Sequence, residues 1–533
     1  MRTRKPLLIL VAVAAALALA LPSRAAMPKR GGTVLWFNYA DPTRLDVHTE
    51  SALTHQQATA GIYSGLLQHD PEKPGEPVPD LATGYQASED GTVFTFRLRQ
   101  GVKWHDGKPF TAQDVVATFE RVTKEDFRSP RCGTMVKPLL AKVEAVDDHT
   151  VKFTLKHPAG TFIPSIASAW CRIVPKHILE RDKDLNQAKS IIGTGPFKLK
   201  DYKRGSIIEW ERNPGYFIPG LPYVDGVRQF ILVGTPTQLA AAKAGRLMLW
   251  DTWPTMSKSQ AEEVKKAQGE RVKIYSWPIN TVFITYLNPK MKPFDNPEMR
   301  KAVRLALNPQ EVIAKVFEGA GTPCSLLDPK LYGDYALPQE EVLKAPGCNP
   351  ATKERDIEEA RRIVLKHHPN GVEIEVATRT VADYVDRSQL IIQQLRKIGI
   401  RVNFKTYESA VGFRNWGAGN FTLIATQDTA MVMSDPHSMF ALTYSGDGGR
   451  SYSRWKDPKI EELIDKGLRE TDKAKRVKIY HDLQRYILSK PDHPNIVVSW
   501  IEGWFFEDTR LKNYRQATTV YDNNTFQKVW LDQ

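Results

Sequence analysis

The sequence predicts an α/β protein built from at least two domains, and three observations lead there. The chain has 533 residues, beyond the roughly 250 to 300 at which a single hydrophobic core stops growing. Strand and helix patterns alternate along 355–427, the signature of a parallel sheet with right-handed crossovers. No low-complexity tether divides the chain, whose local Pro/Gly cluster is PEKPGEPVP at 71–79. Its domains are therefore expected to be joined by several chain crossings rather than by one linker.

Taken in order, residues 1–25 carry Arg2, Arg4 and Lys5, an apolar run from Leu7 to Leu21, and then Ser23, Arg24 and Ala25. These are the basic, apolar and cleavage regions of a secretory signal peptide. The run falls short of the about 20 apolar residues needed to span a bilayer, and no cysteine follows it to accept a lipid. The expectation is a periplasmic protein, secreted with a cleaved leader and not lipid-anchored.

The next informative stretch is 93–122, VFTFRLRQGVKWHDGKPFTAQDVVATFERV. Phe94, Phe96 and Leu98 alternate with Thr95, Arg97 and Arg99 as in a half-buried strand. His105, Asp106 and Gly107 turn the chain. Thr111 then stands three residues before Asp114 as a capping box, with Val115, Val116, Phe119 and Val122 at helical spacing. Farther on, Asn296 and Pro297 open a helix with Met299, Ala302, Val303 and Ala306 inward, and Asp457 with Pro458 opens another.

Between 355 and 427, Ile357, Ala360, Ile363 and Val364 form a helix face, and VEIEVA at 372–377 reads as a strand. Leu390, Ile391, Leu395 and Ile398 give a second helix that Gly399 ends. Ile400, Val402 and Phe404 alternate as a strand, and FTLIAT at 421–426 supplies another. Ligands of open α/β sheets collect outside the carboxyl ends of the strands. Arg379 and Asp428, each two positions beyond a predicted strand, answer that description as a cation and an anion at one rim.

Cys132, Cys171, Cys324 and Cys348 suit an oxidising compartment. Four cysteines permit three connectivities; chain order favours Cys132 with Cys171 and Cys324 with Cys348. The formal charge is +13, and the leader carries four of those charges away. The remaining +9 is dispersed among interleaved acids, with no run of five basic residues, which excludes a nucleic-acid footprint.

The string at 93–122 resembles a stretch of the family 5 extracellular solute-binding proteins, the peptide and nickel class of ABC-transporter receptors. GTGPFKLKDYKRGSIIEWERNPGYF at 193–217, FDNPEMRKAVRLALNPQEVI at 294–313 and YSRWKDPKIEELI at 452–464 resemble further stretches in that family's order. The resemblance implies a two-lobed periplasmic binding protein of the large class II type with an additional small inserted domain. The implied boundaries are 27–62, 190–281 and 500–533 for lobe I, 63–189 for the small domain, and 282–499 for lobe II. It further implies a monomer without catalysis or cofactor, a peptide-like or other carboxylate-bearing solute, and an ABC permease of the inner membrane as partner. A nickel-complex, opine or sugar receptor of the same family is the alternative.

In ATRTVADYVDRSQ, Arg379 aligns with the arginine that holds the ligand carboxylate in dipeptide receptors. A guanidinium grips a carboxylate through two parallel hydrogen bonds; the plainer reading is a rim arginine paired to Asp383 or Asp386. Those receptors also place an acid for the peptide ammonium a few residues before an Asp-Pro. Here Asp435 and Pro436 are kept, but Met431 and Val432 stand where the acid is expected. Asp428 or Asp435 would have to substitute by reaching in, and Met431, Val432 and Met433 would line an adaptable apolar pocket or simply fill core. Trp416, Tyr384 and Trp455 are candidates for aromatic cleft walls.

Other features have bland readings. Gly446 to Arg450 lacks the spacing of a phosphate loop and reads as a surface turn. His367 and His368 sit at a helix end, and His48 and His55 make no metal motif. A secreted hydrolase is the rival from another class, but Gly-x-Ser-x-Gly, His-Glu-x-x-His and a Walker loop are all missing.

Overall fold

A computed structural model describes residues 27–50, 52–70, 76–182, 184–251, 255–380, 382–430, 435–516 and 526–532, excluding the side chains of 382, 383, 410 and 426–430. The expected leader at 1–25 therefore lies outside the described residues. Among them, no helix is long and apolar enough to cross a membrane.

Two long strands organise the molecule. Val272–Leu287 and Asn495–Asp508 run antiparallel to each other from Val272 opposite Asp508 to Tyr286 opposite Asn495. The register shifts between Pro278 and Thr281, where Asn280 adopts φ 53°, an interruption of the ladder of the β-bulge kind. On one side Leu249–Trp250 pairs with the Asn495–Asp508 strand; on the other, Val272–Leu287 pairs antiparallel with Leu423–Ala430. Val372–Arg379 and Ile400–Tyr407 follow beyond Leu423–Ala430, running parallel as the 355–427 pattern predicted, and Gly321–Pro323 adds a short pairing to Asn495–Asp508. The sheet is thus mixed rather than purely parallel, because Val272–Leu287 runs against both the α/β unit and the Asn495–Asp508 strand.

Alternate residues of these strands feed opposite faces. Phe283, Leu287, Leu423 and Val498 join a core with Met299, Ala302, Val303, Ala360, Val364, Leu390 and Ile391. Val282, Ile284, Tyr286, Ile424 and Val497 join another with Phe440, Ile460, Tyr480 and Leu483. Helices cover both faces, as buried strands of this kind demand.

The predicted strand ends are too short by two to four residues. Val372–Arg379 runs on through Thr378 opposite Thr406 and Arg379 opposite Tyr407. Leu423–Ala430 continues beyond 426 because the long neighbouring strand keeps offering partners, ending with Thr281 opposite Ala430.

A smaller antiparallel sheet, in the order Ala82–Ala87, Val93–Leu98, Thr150–Leu155, Leu140–Asp147, has a core of its own. Phe94, Phe96 and Leu98 point into it, and the helix Ala112–Thr123 packs on it. The Asp114 carboxylate accepts from Thr111 N at 2.9 Å, completing the predicted cap. A third sheet, ordered Thr33–Asn38, Gly226–Ile231, Ile207–Arg212, Phe197–Lys203, belongs to the first core. Cys132–Cys171 and Cys324–Cys348 are both disulfides, the pairing that chain order favours.

Candidate functional site

Arg379 is the last residue of its strand, so its side chain leaves the sheet at the carboxyl rim. Its guanidinium carbon lies 4.0 Å from the centre of the Tyr384 ring and 5.1 Å from that of Phe413. The two rings come from the helices Ala382–Lys397 and Ser409–Gly417, each beginning just after one of the two parallel strands. A strand end and two helix starts thereby converge on one cation.

Neither Asp386 nor any other carboxylate among the described residues forms an ion pair with Arg379, and its enclosed Nε has no hydrogen-bond partner. The side chain of Asp383 lies outside the described residues. A buried donor left unsatisfied costs about 1–3 kcal/mol, so this guanidinium is fixed by stacking and retains a demand for an acceptor.

Arg450, which the sequence placed in a surface turn, shares the Phe413 ring at 4.6 Å. Its Nη1 donates to the Tyr452 hydroxyl at 2.6 Å. The glycine-rich turn before it is tightly built: Glu461 accepts from Ser445 Oγ at 2.9 Å and Gly446 N at 2.7 Å. A Cβ on Gly448 would come within 2.5 Å of the carbonyls of Ala441 and Leu442. The signal was the arginine closing the turn rather than the glycines within it.

Trp416 is 0% exposed and offers no face to a cleft. It packs edge-on to Phe413 at 5.7 Å and to Tyr452 at 5.8 Å, the two residues that hold Arg379 and Arg450. It therefore supports the cations from beneath. Trp455 stacks under Arg300 at 4.9 Å.

Asp435 is 2% exposed and is engaged on every side. It caps the helix Pro436–Thr443 by accepting from His437 N at 2.9 Å, and Arg476 donates to its two oxygens at 2.7 and 2.9 Å. Burial works against the Arg476 charge, but Asp435 more than offsets it and raises the guanidinium's pKa. A ligand ammonium would have to displace a bidentate partner to use Asp435. Asp428 lies opposite Phe283 in the sheet, with its side chain outside the described residues, as are Met431, Val432 and Met433 altogether.

His48 and His367 make structural contacts. His48 Nε2 meets the Arg172 carbonyl at 2.9 Å and its Nδ1 meets Arg121 Nη1 at 3.0 Å, beside the Asp46–Arg121 ion pair. His367, at the helix end, bonds Glu298.

Residues 76–451 match the model of the bacterial extracellular solute-binding proteins, family 5. The chain belongs to that family. It is a solute-binding receptor, and the hydrolase reading falls away with that membership. The dipeptide-binding protein of Escherichia coli (strain K12) is 27% identical over 462 residues, covering 81% of this chain and 83% of that protein. Di/tripeptide-binding protein 1 of Pseudomonas aeruginosa (strain UCBPP-PA14) is 28% identical over 502 residues, covering 87% of this chain and 88% of that protein. Among solved structures, the periplasmic binding protein DppA of Helicobacter pylori, in complex with the peptide STSA, is similar at 25% identity and a TM-score of 0.68, over 95% of this chain and 99% of that one. The receptor thus shares its mixed α/β architecture with relatives over nearly its whole length.

Proposed function

We propose that this receptor captures a peptide-like, carboxylate-bearing solute between two closing lobes outside the cytoplasmic membrane and delivers it to an ABC permease. The observation that carries the reading is Arg379: a guanidinium at a strand rim, stacked on Tyr384 and Phe413, with an enclosed Nε that has no hydrogen-bond partner among the described residues. Bidentate pairing with a carboxylate meets that demand and orients the solute. The peptide-binding relatives support the peptide-like class. The engagement of Asp435 by Arg476, with Met431 and Val432 in place of an acid, favours solutes whose amino end is blocked or missing. Asp428, Met433 and Tyr384 belong to the same proposed lining.

The lobe boundaries proposed above go with this reading. The separate core of residues between Leu66 and Ile173 supports the inserted domain. Closure is a population shift in which solute favours the arrangement it touches from both lobes. The mature chain is proposed to act as a periplasmic monomer, freed of its leader.

Calorimetry of the mature protein with N-acetylated dipeptides tests the site. Arg379→Ala is expected to weaken binding about 100-fold, since removing one partner of a charged hydrogen-bonded pair costs a few kcal/mol. Unchanged affinity would remove Arg379 from the site.

A further inference from the structure

Arg379 and Arg450 share one ring. Both guanidinium carbons lie against Phe413, at 5.1 and 4.6 Å from its centre, which keeps the two cations within about 10 Å of each other, inside the range at which exposed charges still interact. Among the described residues, the Arg450 guanidinium donates to one side-chain group, the Tyr452 hydroxyl. Neither arginine forms an ion pair with a carboxylate among the described residues.

Other arginines of this chain behave differently: Arg469 pairs with Asp465, Arg485 with Glu341 and Arg510 with Asp508. On the strand that ends in Arg379, Glu375 is taken by Lys405 at 2.6 Å. The face of an aromatic ring attracts a cation but does not neutralise it. Two like charges brought to one ring without an acid among the described residues repel each other, and both are fixed: Arg379 by its strand and Tyr384, Arg450 by Tyr452 and a turn tied to Glu461. Trp416, wholly buried, props both the shared ring and Tyr452. Such a pair is built to be completed by anions from outside the chain.

We infer that the solute is dianionic: one carboxylate meets Arg379 and a second, within the same roughly 10 Å span, meets Arg450. A peptide ending in an acidic residue has that form. The inference rests on the proposed grip of Arg379 on a solute carboxylate and adds the second charge.

The probes are N-acetyl-Ala-Glu and N-acetyl-Ala-Gln, which differ only in the second carboxylate. They are titrated calorimetrically into the mature protein after any carried ligand has been stripped by reversible unfolding. The acidic probe is expected to bind at least about tenfold tighter. Arg450→Gln should erase that preference by weakening only the acidic probe, and Arg450→Lys should retain part of it, with thermal midpoints matching the parent. Equal affinities, a preference that survives Arg450→Gln, or no binding of the acidic probe overturns the inference. Arg379→Ala separates the two levels. Loss of both probes there, with no effect of Arg450→Gln, sinks the second charge alone, whereas retention of both sinks the carboxylate grip as well.

Discussion

Asp435 shows how a residue's chemistry is settled by its neighbours. An aspartate before a proline suits a ligand contact as well as a helix cap, and the sequence was read only for the contact. The fold brings Arg476 from 41 residues away to make a two-pronged pair at 2.7 and 2.9 Å, with side chains 4% and 1% exposed. A buried pair of this kind need not add net stability, but breaking it leaves an uncompensated charge. Arg476→Met should therefore lower stability by about 3–5 kcal/mol, read as a shift of the urea midpoint. Arg476→Met combined with Asp435→Leu should cost much less than the sum of the single changes, and strict additivity would speak against coupling. Arg379 was legible because a strand end announces a rim; Arg450 was not, because nothing local says that a turn arginine will reach a ring 37 positions earlier.

At the scale of elements, caps and cross-links were read correctly where their partners are near in sequence. The box at Thr111 and Asp114 formed, but the fold gave the same carboxylate two further donors, Lys176 N at 2.8 Å and Trp104 Nε1 at 3.3 Å. Burial then raises the Asp114 pKa in spite of those donors. The Cys132–Cys171 bridge closes a segment of 39 residues inside the small sheet's core. Loop-closure entropy gives such a bridge about 4 kcal/mol. Replacing both cysteines with serine should destabilise that part of the molecule by about this amount, seen as an earlier urea transition. A transition that stays in place would show that the unfolded chain is already constrained there. Strand ends were the weak point, since Arg379 and Ala430 remain in the sheet only because Tyr407 and Thr281 lie opposite them.

Over the whole molecule, three buried histidines set an acid limit. Burial, with Arg121 nearby, lowers His48 to about 4; burial lowers His105 to about 4; burial, with Arg304 nearby, lowers His493 to about 3. Each is neutral in the folded state below the ordinary histidine value near 6.5, while the unfolded chain takes up protons there. Stability is then lost as pH falls from about 6.5 towards 4, at about 1.4 kcal/mol per pH unit for each proton. Asp80, raised by burial to about 6, acts in the opposite sense, because its folded form binds the proton first. Burial raises Asp114, Asp328 and Glu507 in the same sense as Asp80, but it also lowers His55 and His437, so the imidazoles prevail and urea midpoints at pH 7.0, 5.5 and 4.5 should fall in that order. A midpoint that rises towards pH 4.5 would mean these imidazoles are hydrated in the folded protein.

By itself the sequence determined the α/β class, the parallel unit at 355–427, the cysteine pairing, the helix caps and the family. All of these rest on local periodicity, turn chemistry or chain proximity, or on strings long enough to identify a family. Only the tertiary structure decided that two antiparallel strands cross the sheet, that Asp435 is taken by Arg476, and that Trp416 lies beneath the site. It alone set Arg450 beside Arg379 on one ring. Those are relations between segments dozens to hundreds of residues apart, and they depend on which side chains the packed core leaves without a partner.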